Sequence, residues 1–236
     1  SRLIHLKDEA EAALAEYHGK IQGRLIIGGS TIPGVYILPR IIGAFMEMYP
    51  EVTVSLLIGD TENILESILT GQIELGIVGA SAGNKSIKQE KILEDELRLV
   101  IPAEHKWADK KFITIRELLK EPFISRETGS GTLKALQNSL KEKGVNISDL
   151  HIVAEMGSTE AVIQGIKSKV GVSIISPVAV SEQRKAETLK TLAIKDLNLK
   201  RNFYLSTHRY RSKSPLGRTF MEYLFKYGIS VQKLQW

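Results

Sequence analysis

The chain of 236 residues contains no cysteine. Without a thiol it can form no disulfide scaffold, no cysteine nucleophile and no thiolate site for zinc or an iron–sulfur cluster. The histidines are few and scattered, and no His-x₃-His or His-Glu-x-x-His spacing occurs among His5, His18, His105, His151 and His208. The sequence therefore predicts no metal site, no cofactor and no redox chemistry of its own.

Long apolar runs are also missing, since no window holds about 18 uninterrupted apolar residues. Residues 1–10 lack the apolar core and the small-residue cleavage site of a secretion signal. We therefore expect a soluble, cytoplasmic protein without a membrane partner. Because the chain begins inside a helical pattern and without an initiator methionine, we also expect that a further segment precedes it.

Sequence motifs of common enzymes are absent as well. The stretch from Gly129 to Thr132 resembles a phosphate-binding loop, but the Lys-Ser/Thr pair required after its second glycine is replaced by Thr132 and Leu133. The chain contains no Gly-x-Ser-x-Gly elbow and no Gly-x-Gly-x-x-Gly turn after its first predicted strand. The sequence therefore predicts no catalytic residues and a protein that is not an enzyme.

The charge balance constrains the partners only weakly. The chain has 32 Lys and Arg against 27 Asp and Glu, a net charge of +5, which is compatible with an anionic ligand or a nucleic acid but requires neither. The basic stretch from His208 to Lys213 includes one aromatic residue, and an exposed loop explains it better than nucleic-acid contact. The acidic trio from Glu94 to Glu96 is typical of a solvated connection.

The N-terminal residues have a helical pattern. An apolar seam with alternating spacings of three and four runs along residues 3–21, and Gly19 and Gly23 mark the end of this helix. The seam is narrow, which favours packing on a partner helix in a dimer; docking on the chain's own domain is the alternative. The seam consists of Leu3, Leu6, Ala10, Ala13 and Tyr17.

After residue 23 the pattern changes to short apolar strands that alternate with amphipathic helices. Strands are predicted at 24–29, 52–58 and 75–80, and a second series follows with strands at 97–101, 122–125, 152–156 and 170–175. Strands joined by single helices form βαβ units with parallel pairing. With 43% apolar residues the chain can fill two cores, so two α/β lobes joined by a hinge are expected.

Small and hydroxylated residues recur where predicted strands give way to helices. The carboxyl ends of parallel strands form a ligand crevice, and each following helix presents free backbone N–H groups and its positive dipole end there. Several such turns together would hold a small anion without a metal, although each hydroxyl alone could be an ordinary helix cap. The candidate binding residues are Ser30, Thr31, Asp60, Thr61, Thr128, Gly129, Ser130, Thr132, Gly157 and Ser158.

Five segments, in this order, resemble the effector-binding region of LysR-type transcriptional regulators. The resemblance extends from Arg24 to about Tyr227, with Glu74 where aspartate is usual in the family. The segments are Gly28 to Thr31 followed by Tyr36-Ile37-Leu38-Pro39 and Tyr49-Pro50-Glu51-Val52, then Ile68 to Ile77, Leu97 to His105, Val170 to Pro177, and Ser214-Pro215 with Phe220.

The resemblance implies an α/β fold of two Rossmann-like subdomains with a hinge, like a type 2 periplasmic binding protein, preceded by an N-terminal linker helix. Its domains would be a linker and dimerisation helix at 1–23, subdomain I at 24–100 and 208–236, and subdomain II at 101–207. A small anionic effector would bind between the lobes at the candidate residues. The protein would form a homodimer or higher homo-oligomer and contact DNA only through a winged helix-turn-helix absent from this chain.

Two finer points accompany the resemblance. Residues 30–39 resemble a subgroup associated with selenium or sulfur metabolism genes, although Pro33 replaces a polar residue that is common elsewhere in the family. A solute-binding protein of a transporter, which shares the two-lobe architecture, is the alternative function.

Overall fold

The computed structural model describes residues 21–228. The predicted dimer seam, and the predicted linker helix except for residues 21–23, lie outside this range. The chain divides into two compact units, here called unit 1 (21–93 and 203–228) and unit 2 (94–202). The chain enters unit 2 between Leu93 and Glu94 and leaves it between Asn202 and Phe203, whereas the sequence-based boundaries are 100/101 and 207/208.

Eleven strands form within the described residues. They are β1 (Gly23–Ser30), β2 (Val52–Gly59), β3 (Leu75–Val78), β4 (Ile87–Glu96), β5 (Arg98–Pro102), β6 (Phe112–Ile113), β7 (Phe123–Arg126), β8 (Ile152–Met156), β9 (Ser173–Ile175), β10 (Leu189–Ile194) and β11 (Lys200–His208).

The α-helices in the same range are α1 (Leu38–Met48), α2 (Thr61–Thr70), α3 (Ile115–Leu118), α4 (Gly131–Lys141), α5 (Thr159–Lys167), α6 (Ser181–Lys185) and α7 (Pro215–Tyr223). Short 3₁₀ segments lie at Ile147–Asp149 and Pro177–Val180, and π-helical turns lie at Pro33–Ile37 and Leu224–Gly228.

The sheet of unit 1 has the strand order β2-β1-β3-β11-β4. Strands β1, β2 and β3 pair in parallel, as the predicted βαβ units require, while β11 pairs with β3 in the antiparallel direction. Strand β4 was not predicted, because its sequence carries charged residues at most positions. The result is a mixed sheet with a parallel half.

The end of β1 runs directly into helical structure. Pro33–Ile37 forms a π-helical turn that continues into α1. The two segments approach closely, since a Cβ atom on Gly29 would lie 2.5 Å from the Cα of Gly34. Only glycine therefore fits at this junction.

Glu74 has a structural role in unit 1. Its carboxylate accepts hydrogen bonds from the backbone N–H of Ser214 at 3.0 Å and from the Ser214 hydroxyl at 2.8 Å. Ser214 is the N-cap of α7, where its hydroxyl accepts a hydrogen bond from Gly217 N–H at 3.0 Å. Glu74, the residue directly before β3, thus holds the N-terminus of α7 in place.

Unit 2 contains a four-stranded sheet in the order β6-β10-β5-β9 and a parallel pair of β7 and β8. Strand β5 pairs with β9 and β10 in the antiparallel direction. The core of unit 2 is aliphatic with two large aromatic side chains, Trp107 and Phe123. Strand β7 ends at Arg126, directly before the loop that leads into α4.

Candidate anion-binding site

The N-terminus of α4 offers unused hydrogen-bond donors. Its N-cap residue, Ser130, is only 4% exposed, yet its side chain makes no capping hydrogen bond. The preceding Gly129 has a φ of 94°, a left-handed conformation that glycine tolerates best and that shapes this turn. The first N–H groups of a helix have no intrahelical acceptor, so α4 presents backbone donors beside an uncommitted hydroxyl.

Arg201, on β11, reaches the first turn of α4. Its Nη1 donates a hydrogen bond to Thr132 Oγ1 at 3.0 Å, and both residues are buried. A hydroxyl has one donor hydrogen besides its acceptor lone pairs. Because Arg201 uses an acceptor position of Thr132, the hydroxyl hydrogen is directed elsewhere, and it donates to no other group within residues 21–228.

A buried carboxylate holds Arg201 in place. Arg201 Nε donates to Asp95 Oδ2 at 2.8 Å, and both side chains are 6% exposed. The other oxygen, Oδ1, accepts a hydrogen bond from the Ser176 hydroxyl at 2.8 Å. Burial lowers the pKa of the Arg201 guanidinium while Asp95 opposes this change, and a guanidinium remains charged in proteins. The ion pair is therefore held at the arginine by Thr132 and at the carboxylate by Ser176.

A second buried arginine repeats this pattern at α5. Arg126 Nη1 donates to Thr159 Oγ1 at 2.8 Å, and Thr159 is the first residue of α5. The guanidinium also donates from Nε and Nη2, each to one carboxylate oxygen of Glu127 at 2.7 Å. Arg126 also contributes to the lowered pKa of Arg201, so the two guanidinium groups repel each other electrostatically.

Unit 2 is therefore suited to an anion through the direction of its donors. Two positive and two negative side chains cancel formally, so net charge alone does not attract a ligand. Each carboxylate accepts a hydrogen bond from one arginine, and that arginine donates a further hydrogen bond to a threonine hydroxyl. The arginines thereby polarise the hydroxyls of Thr132 and Thr159. Charge-assisted donors at helix N-termini are typical of carboxylate, phosphate and sulfate sites.

The candidate residues of unit 1 have mixed roles. Ser30 Oγ accepts a hydrogen bond from Gly79 N–H at 3.1 Å, and Asp60 caps α2 by accepting from Asn63 N–H at 2.8 Å. Thr61 is 4% exposed, and its hydroxyl has no hydrogen-bond partner within residues 21–228. Thr31 is half-buried between β1 and the π-helical turn.

The remaining candidates of unit 2 also separate into groups. Ser158 is the N-cap of α5 and accepts from Ala161 N–H at 3.1 Å, which is the ordinary capping role. Thr128 and Gly157 are exposed. Of the predicted residues, only Ser130 and Thr132 have buried side chains at the arginine network.

The charged residues of this network were missed by sequence reasoning. The predicted solvated connection at Glu94 to Glu96 is wrong at its centre, because Asp95 is 8% exposed and paired with Arg201. The partners lie 106 positions apart, which no local pattern reveals. No local signal marked Asp95 or Arg201, because each lies among other charged or polar residues of its strand.

The basic loop after β11 serves the fold of unit 1. Arg209 Nε donates to the carbonyl of Lys85 at 2.9 Å, and Arg211 donates to the carbonyls of Ile68 and Leu69 at 3.0 and 2.8 Å. These last two carbonyls lie at the C-terminus of α2, where cations are favourable. The loop is exposed, as predicted, and both arginines already bind backbone carbonyls.

A separate cavity of about 300 Å³ lies in unit 2 and contains none of the candidate residues. Within it Glu121 accepts from His105 Nε2 at 2.9 Å and pairs with Lys106. Burial raises the pKa of Glu121, but these hydrogen bonds outweigh it, so the pKa lies below its usual value. Lys169 is paired with Glu104 at 2.9 Å. The cations here are matched by carboxylates that face the same space, which disfavours an anion.

Two further observations concern residues 21–228. No cluster of three or more His, Asp or Glu side chains in this range could hold a metal ion. No helix in the same range is both long and apolar enough to cross a membrane.

Comparison with known proteins identifies the family. The LysR substrate binding domain matches residues 18–228. An uncharacterized HTH-type transcriptional regulator, MJ0300 of Methanocaldococcus jannaschii, is 33% identical over 226 residues, which cover 95% of this chain and 76% of that protein. A probable RuBisCO transcriptional regulator of Cyanidium caldarium is 30% identical over 222 residues, covering 93% of this chain and 70% of the relative.

A solved structure agrees with this assignment. The regulatory domain of CcmR from Synechocystis PCC6803, in complex with 2-PG, is 30% identical and superposes with a TM-score of 0.79, covering 87% of this chain and 97% of that domain. The predicted class, an α/β fold like a type 2 periplasmic binding protein, is confirmed. The relatives are transcriptional regulators rather than enzymes. The chain therefore belongs to the LysR family of transcriptional regulators and comprises its effector-binding domain.

Proposed function

We propose that this domain senses a small anionic effector and that unit 2 holds the anionic group at the N-terminus of α4. The observation that carries the proposal is the pairing of Arg201 with Thr132 beside Ser130, a buried hydroxyl without a capping bond. The CcmR regulatory domain, at 30% identity, was solved with 2-PG, which makes 2-PG a suitable first ligand to test.

The donors at α4 differ in strength. Helix N–H groups and the dipole contribute about 0.3–1 kcal/mol toward an exposed charge. Hydrogen bonds to an ionised group contribute about 1.5–3 kcal/mol each, so the hydroxyls of Ser130 and Thr132 would dominate the affinity. Thr159, which Arg126 polarises in the same way, would supply a further donor to a larger effector.

The expectation that the effector binds between the lobes stays a prediction. Regulation further requires that the effector has different affinities for two states of the domain, because equal affinity shifts no equilibrium.

Calorimetric titration with 2-PG, sulfate and selenate tests the site. We expect at least one of these anions to bind, and Ser130→Ala to weaken that binding by about tenfold or more, since a hydrogen bond to a charged group is lost. Ser139→Ala is the matched control, because Ser139 lies on the same helix, is 3% exposed and has no hydrogen-bond partner for its hydroxyl within the described residues.

The control variant should retain the affinity of the unmodified protein. Equal affinities in the unmodified protein and Ser130→Ala would reject the α4 site. Sulfate and selenate are included because the subgroup resemblance of residues 30–39 leads us to propose genes of sulfur or selenium metabolism as targets. Binding of 2-PG with neither oxyanion would reject that finer assignment.

Homodimer formation through residues 1–23 is proposed from the sequence seam. Sedimentation of the chain with and without these residues tests it, and we expect the mass to halve on their removal. Equal masses would exclude a dimer role for this segment. The alternative of a transporter's solute-binding protein is not favoured, because the relatives are transcriptional regulators.

A further inference from the structure

The ion pair of Asp95 and Arg201 has a position that anion binding alone does not explain. Strand β4 carries Asp95 and strand β11 carries Arg201, and these are the two strands in which the chain passes between units. Asp95 is the second residue after the crossing at Leu93/Glu94, and Arg201 is the second residue before the crossing at Asn202/Phe203. The ion pair therefore joins the two stretches of chain that cross between the units, and it lies inside unit 2.

We propose that Arg201 and Asp95 are positioning residues that couple occupancy of the α4 site to these crossing segments, defined as residues 94–96 and 200–202. This inference rests on the proposed anion site. It adds the route by which that site would affect the rest of the regulator.

The geometry of the guanidinium supplies the coupling. Its planar fork is rigid, so the hydrogen bond from Nη1 to Thr132 and the one from Nε to Asp95 cannot reorient independently. An anion that draws the Thr132 hydroxyl toward itself rotates the guanidinium of Arg201. This rotation changes the hydrogen bond between Arg201 Nε and Asp95. The Ser176 bond to the other oxygen keeps Asp95 from following freely.

Burial makes this connection specific. Both charged side chains are 6% exposed, so water cannot substitute for either partner. A second ion pair on the same two strands, Lys200 with Glu94, has an Nζ to Oε1 distance of 3.8 Å and side chains that are 60% and 55% exposed. Solvent screening leaves such a pair little influence, which makes it an internal control.

Hydrogen exchange with and without anion tests the coupling, using the anion of 2-PG, sulfate and selenate that calorimetry shows to bind most tightly. In the unmodified protein we expect this anion to slow amide exchange in the crossing segments by about fivefold or more. In Asp95→Asn we expect binding to persist, weakened, while the slowing in these segments is largely lost. Lys200→Gln should behave as the unmodified protein in both measurements.

Arg201→Lys provides a second variant in case Asp95→Asn folds poorly. Lysine retains the charge toward Asp95 but lacks the fork that reaches Thr132 at the same time. We expect it to fold and to lose the slowing in the crossing segments. A variant that merely loosens the fold would raise exchange with and without anion and leave the ratio between them unchanged.

Two results would overturn the inference. Asp95→Asn and Arg201→Lys could both retain the full anion-induced slowing, which would show that the pair only stabilises unit 2. The unmodified protein could bind an anion with no change in the crossing segments, which would remove the coupling but leave the anion site intact. Absence of any anion binding, measured first by calorimetry, would instead reject the site and the coupling together.

Discussion

Replacing Arg201 with methionine is expected to lower the free energy of unfolding of unit 2 by about 3–5 kcal/mol. The change leaves the Asp95 carboxylate buried, with the Ser176 hydroxyl as its remaining hydrogen-bond donor. A buried charge that loses its partner retains the full cost of desolvation. Urea unfolding, followed by hydrogen exchange of amides in β5, β9 and β10, measures this loss.

A double variant separates the charge from the packing. Asp95→Leu combined with Arg201→Met removes both ions, and we expect it to recover most of the lost stability, because apolar replacement of a buried pair is often neutral or favourable. Lys200→Met changes a neighbouring, exposed cation and should alter stability by less than about 0.5 kcal/mol. An Arg201→Met protein as stable as Lys200→Met would refute the buried ion pair.

Phe45→Ala is expected to destabilise unit 1 by about 3–5 kcal/mol. Phe45, on α1, is 0% exposed and lies with its ring centroid 4.8 Å from Tyr49, 5.0 Å from Phe220 and 5.2 Å from Tyr223. Removing the ring leaves a cavity and ends three aromatic contacts at once. Urea unfolding monitored through amide exchange in β1 and β3 reports the change.

Met48 supplies the control for this position. It lies on the same helix and is 49% exposed, so Met48→Ala should change the stability of unit 1 by no more than about 0.5 kcal/mol. Similar losses for the two variants would mean that the aromatic cluster does not carry the packing of α1.

The alternation of strands and helices was predictable because burial in α/β layers leaves a periodic apolar pattern. Strands β1, β2 and β3 and their parallel pairing follow from that pattern. Strand β4 does not, since only its first and ninth residues, Ile87 and Asp95, are buried, and one of these is charged. Its place in the sheet depends on tertiary partners that periodicity does not encode.

The candidate site, too, was only partly predictable from the sequence. Hydroxyls at helix starts are recognisable locally, because Ser and Thr favour these positions, and this brought Ser130 and Thr132 into the prediction. The same rule selected Asp60 and Ser158, which serve as ordinary caps. Arg201 was not found, since its role depends on contacts with residues 69 and 106 positions away.

The central claim is that the N-terminus of α4 holds the anionic group of the effector. Crystals of the protein soaked in whichever of 2-PG, sulfate and selenate binds most tightly in calorimetry test it directly, because the electron density locates the bound anion. We predict anion density whose oxygens lie at hydrogen-bond distance, about 3 Å, from the hydroxyls of Ser130 and Thr132. Anion density only in the cavity beside Glu121, or none in unit 2, would contradict the account.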